Sequence, residues 1–86
     1  MQHWQQIASP PSLVRKFTFE NFRDAFSFMT AIALEAEKMN HHPDWKNSYN
    51  VVEISLSTHS ERAVTLKDEK LAQTINNISS RFKLID

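Results

Sequence analysis

At 86 residues, with ten Lys and Arg against ten Asp and Glu, the chain suffices for one domain spanning 1–86. It has no basic excess that would point to direct nucleic-acid binding or an anionic membrane surface. It has no cysteine, hence no disulfide framework, thiolate nucleophile or zinc knuckle, and no apolar run near the ~20 residues that cross a bilayer. With an N-terminus, MQHWQQ, that lacks the basic and apolar regions of a secretory signal, these features lead us to expect a soluble cytoplasmic domain without a membrane partner.

A domain of this size buries only roughly 60–65% of the surface its unfolded chain exposes, so stability shared with a partner subunit is expected. Glycine is absent, and turns must be made by Pro, Asn, Asp and Ser. SPPS at 9–12 marks the first turn. The preceding WQQIA can pair as a hairpin with LVRKFTF, whose Leu13, Arg15, Phe17 and Phe19 alternate with Val14, Lys16 and Thr18. At Asn21, a candidate N-cap with Asp24 three residues on, the period changes. Phe22, Ala25, Phe26, Met29, Ala33 and Ala36 then recur at helical spacing, predicting a helix to about Met39 with this stripe inward. A second row, Phe28, Ile32, Glu35 and Met39, gives the helix more apolar surface than one sheet can cover, a hint of homo-oligomerisation.

Pro43 ends that helix and leaves His41 and His42 in its exit turn. Val52, Ile54, Leu56 and Thr58 then alternate with Val51, Glu53, Ser55 and Ser57, predicting a half-buried strand that runs toward His59. ERAVT reads as a short return strand. Thr65 and Asp68 form a capping-box start for a last helix, whose stripe is Leu71, Ile75, Ile78, Phe82 and Ile85. Strands, helix, strands, helix is the order of an α+β fold with an antiparallel sheet and helices on one face.

Chemistry concentrates in His41, His42 and His59, because imidazoles titrate near neutrality and serve general acid–base catalysis. Each site candidate also has a plain structural use. His41 and His42 can cap a helix C-terminus, His59 can be an exposed strand-end residue, and Glu37 a solvated helix face. Asp68 can be a helix N-terminal acid, and Trp45 and Tyr49 core aromatics. A metal site using the histidines with Asp44 or Asp68 ranks lower, since no HxH or HxxxH pair puts two imidazoles on one face. A serine elbow is impossible without glycine.

Glu37, then His41-His42-Pro43, Tyr49, His59 and Asp68, with these spacings, resembles the signature of the pterin-4a-carbinolamine dehydratases. The likeness extends through FTFENFRDAFSFMTAIALEAEKMNHHPDW and ISLSTH, roughly Trp4 to Ile78. The resemblance implies a four-stranded antiparallel sheet with helices on one face, assembled as homodimers or homotetramers. One helix usual in the family, ahead of the equivalent of Trp4, is expected to be missing. It implies loss of water from a 4a-hydroxytetrahydropterin without metal or organic cofactor, in tetrahydrobiopterin recycling. His41 and His59 are then the expected acid–base groups, and His42 the expected pterin-orienting one. Glu37 and Asp68 would hold imidazole tautomers or accept from the pterin, with Trp45 and Tyr49 as pocket walls. Two other functions fit the same resemblance: a non-enzymatic dimerisation or coactivator-type module, and action on another pterin such as a molybdenum-cofactor precursor. The family turn after the last histidine usually holds glycine, whereas this chain has SERAV, so the turn must either avoid positive φ or adopt it under strain, with a shift of His59 as the expected consequence.

Overall fold

The computed structural model describes residues 3–85. Strands β1 (Gln5–Ala8) and β2 (Pro11–Thr18) form the first hairpin, followed by α1 (Phe22–Met39), β3 (Asp44–Ser48), β4 (Val51–Leu56) and α2 (Leu66–Ser79). The strands make one antiparallel sheet in the order β1-β2-β4-β3. This is the α+β architecture expected. No described helix is long and apolar enough to cross a membrane.

Alternation explains the layers. Leu13 and Phe17 of β2 and Val52, Ile54 and Leu56 of β4 point to one side and are buried under the helices, while Lys16 and Glu53 lie on the uncovered side. Phe28 is the hub of the core, its ring 4.8 Å from both Phe17 and Phe19 and 6.0 Å from Phe82. Such pairs add about 0.5–1.5 kcal/mol each beyond the area they bury. Arg15 shares this side but keeps its charge near the surface. Its guanidinium lies 4.2 Å from the Phe17 ring centroid and donates to Asn76 Oδ1 at 2.8 Å, and burial pulls its pKa below the usual guanidinium range.

Four expectations are corrected. The inward face of α1 is built from Ala25, Phe28, Ile32 and Ala36, and the expected stripe is split, with Phe22 and Phe26 exposed by 47% and 56%. The fourth strand is Asp44–Ser48; ERAVT supplies only an isolated bridge between Thr58 and Ala63. Helix α2 stops at Ser79, because the Ser79 and Ser80 hydroxyls bond back to the carbonyls of Asn76 and Asn77 at 2.7 and 2.6 Å and compete with helix continuation. Phe82 therefore packs on the core from beyond the helix, and Ile85 is exposed.

Candidate active site

The antiparallel pairing of Asp44 with Ser55 sets the start of β3 beside the end of β4. The exit of α1 and the entry of α2 meet at the same end of the sheet. Asn40 makes that exit: it takes a left-handed conformation at φ 51°, its N–H and that of His41 bond to Glu37 and Ala36 carbonyls at 3.1 Å, and the chain turns sharply out of the helix. His41 and His42 leave in different directions. His41 Nε2 lies 2.5 Å from Asp68 Oδ1. His42 Nε2 reaches back to Glu37 Oε1 at 2.9 Å.

Asp68 is the third residue of α2 and fully buried. Its second oxygen, Oδ2, accepts from the Thr65 N–H and the Thr58 hydroxyl, both at 2.8 Å. The capping box is therefore real, yet a solvent-facing Glu or Gln would satisfy it as well; the fully buried position beside the largely shielded His41 imidazole is what demands a short acid here. Ser57, Thr58 and His59 continue β4 past its last ladder residue. Thr58 turns inward and His59 outward, as successive strand residues must. His59 Nε2 lies 3.1 Å from Asp44 Oδ2, with both side chains largely exposed.

Three imidazoles thus face three different carboxylates, each through Nε2. Of the imidazoles it is His41 that Asp68 meets, and Asp44 is the acid on His59. The sequence signals Asp44 only as a possible metal ligand, because the polar stretch DWKNS carries little strand signal that would place it beside His59. Among the described residues no three His, Asp or Glu side chains come together as a metal ligand set. Trp45, beside Asp44, packs against the core on the helix side. Tyr49 sits at the opposite end of β3, in the turn to β4, 64% exposed and at φ 50°; the fold does not bring it to the histidines within one chain. A depression of about 710 Å³ on the uncovered sheet face, lined by Gln5, Val14, Lys16, Lys46 and Glu53, meets the cluster only at Asp44.

Known proteins resemble this chain. A protein of Afipia carboxidovorans named "Putative pterin-4-alpha-carbinolamine dehydratase" is 48% identical over 79 residues, covering 92% of this chain and 79% of its own. One of the same name in Nitrobacter hamburgensis is 44% identical over 79 residues, covering 92% and 78%. The crystal structure of a transcriptional coactivator/pterin dehydratase from Brucella melitensis superposes with a TM-score of 0.87 at 45% identity, covering 91% of this chain and 83% of that one. A pterin dehydratase-like RuBisCO assembly factor of the alpha-carboxysome shares the fold, with a TM-score of 0.78 at 20% identity over 91% of this chain and 90% of its own. The Pterin 4 alpha carbinolamine dehydratase family model matches residues 1–78, the span that holds every member of the histidine cluster, and the chain belongs to that family.

Proposed function

We propose that the chain is a dehydratase that removes water from a 4a-hydroxytetrahydropterin, giving the quinonoid dihydropterin, in tetrahydrobiopterin recycling in the cytoplasm. The observation that carries this reading is the His41–Asp68 pair, a shielded imidazole–carboxylate couple at the same sheet end as two exposed ones. The reaction needs little else. The C4a–O bond breaks as the leaving hydroxyl takes a proton from an imidazolium and departs as water. The N5 lone pair forms the C4a=N5 bond, and the N5 proton passes to a second imidazole. His41 and His59 are the two transfer groups, each worth typically 10²–10⁴-fold in rate. His42, steadied by Glu37, orients the pterin, and Trp45 is the candidate wall. No metal or organic cofactor takes part.

The test is a stopped-flow assay with chemically generated 4a-hydroxytetrahydropterin. The wild type should exceed the buffer rate, His41→Ala and His59→Ala should each lose about 10²-fold or more, and His42→Ala should raise KM. A wild-type rate equal to buffer overturns the proposal. Activity should survive chelator; loss on chelation with rescue by zinc would favour a metal enzyme. A different preferred pterin, such as a molybdenum-cofactor precursor, would show as a higher kcat/KM on that substrate.

A second reading has its own observation. Phe22 and Phe26, with ring centroids 5.8 Å apart on the outer face of α1, form an exposed apolar pair suited to a homodimer or homotetramer, or to a coactivator-type protein partner.

A further inference from the structure

We propose that Thr58 is a positioning residue, whose hydroxyl holds the Asp68 carboxylate and thereby fixes which nitrogen of His41 does the chemistry. The proposal rests on the dehydratase reading only for its kinetic consequence.

The hydrogen-bond directions follow from counting protons. Thr58 has one hydroxyl proton and spends it on Asp68 Oδ2 at 2.8 Å. Thr65 Oγ1, 2.7 Å from Thr58 Oγ1, must then be the donor between the two hydroxyls. Thr65 also sends its backbone N–H to the same Oδ2. Hydroxyl feeds hydroxyl, and both routes end on one oxygen of a fully buried carboxylate. With Oδ2 taken, Oδ1 is left to accept from His41 Nε2–H. The neutral His41 ring therefore carries its proton on Nε2, and its lone pair on Nδ1.

That nitrogen is accessible. His41 turns Nε2 to Asp68 and keeps 11% of its side chain exposed, which leaves Nδ1 as the nitrogen free for a substrate. Thr58 is itself tied down by backbone hydrogen bonds on both sides. Its N–H bonds to the Ala63 carbonyl at 2.9 Å, and its own carbonyl accepts from Glu61 N–H at 3.0 Å. One residue thus anchors the partner of His41 and carries His59 as its neighbour in the chain.

The experiment removes the hydroxyl and asks about the tautomer. Imidazole ¹⁵N shifts of His41 should report the Nε2–H form alone in the wild type. In Thr58→Val, and in Thr58→Ala should the valine variant not fold, the Nε2–H preference should weaken about tenfold, and kcat should drop about tenfold with KM within about twofold. Thr58→Ser should restore both. An unchanged His41 tautomer in the hydroxyl-free variants overturns the proposal, whatever their melting temperatures. A wild type without dehydratase activity would sink the catalytic reading alone, and the tautomer measurement would still decide the role of Thr58.

Discussion

His41 and Asp68, 27 positions apart, meet at 2.5 Å with 11% of the imidazole and none of the carboxylate side chain exposed. The contact joins the exit turn of α1 to the first turn of α2, so stability and chemistry act on the same pair. Asp68→Asn should affect both. The amide oxygen must face the Thr58 and Thr65 donors, which leaves its NH₂ toward His41 Nε2 and forces the imidazole proton onto Nδ1. Turnover should fall about 10²-fold or more. Stability should fall by about 2 kcal/mol, the scale of hydrogen bonds to a buried charge. Wild-type turnover in this variant would reduce Asp68 to a helix cap.

The His59–Asp44 pair should behave in the opposite way. Both side chains are mostly solvated, at 74% and 64% exposure, so the contact contributes about 0–1 kcal/mol. His59→Ala should leave stability within about 0.5 kcal/mol while removing one proton-transfer group. A large drop in melting temperature would make His59 structural.

The glycine-free turn after His59 is strained where glycine would relieve it. Arg62 sits at φ 52°, its N–H bonded to the His59 carbonyl at 3.2 Å, and a left-handed conformation costs a residue with a Cβ roughly 1–2 kcal/mol. Glycine removes that strain but loses up to about 1 kcal/mol more chain entropy. Arg62→Gly should therefore stabilise by about 0.5 kcal/mol, read as a higher melting temperature. A lower one would mean that the exposed arginine has a compensating role.

Much of the fold was legible because local chemistry and tertiary contacts agree. Asn21 caps α1 by accepting the Asp24 N–H at 2.8 Å, and β4 alternates as its residues require. β3 was illegible because Asp44, Lys46 and Ser48 face solvent at a sheet edge, and of its inward residues only Trp45 is apolar. The inward face of α1 was ambiguous, since the Phe22–Phe26 and Phe28–Ile32 rows have similar hydrophobicity. The position of the sheet decides between them, not the helical period. The histidines announced themselves by rarity, but their partners did not. Which carboxylate faces which imidazole depends on the crossing of four chain segments that no spacing rule encodes.

The exposed aromatic pair on α1 makes the last prediction. The Phe22 and Phe26 rings touch each other and leave roughly half of each side chain to solvent, in a domain too small to build a generous core of its own. If this face joins copies of the chain, the melting temperature must rise with protein concentration, because association draws on folded molecules alone. Light scattering should then report a mass above that of one chain at micromolar concentration. Phe26→Glu should abolish both effects without unfolding the monomer, since its side chain adds nothing to the Phe28 cluster. The inward Phe28→Ala should instead cost about 3–5 kcal/mol at any concentration. A wild-type monomer with a concentration-independent melting temperature would remove self-association through α1 and leave the Phe22–Phe26 pair to a protein partner.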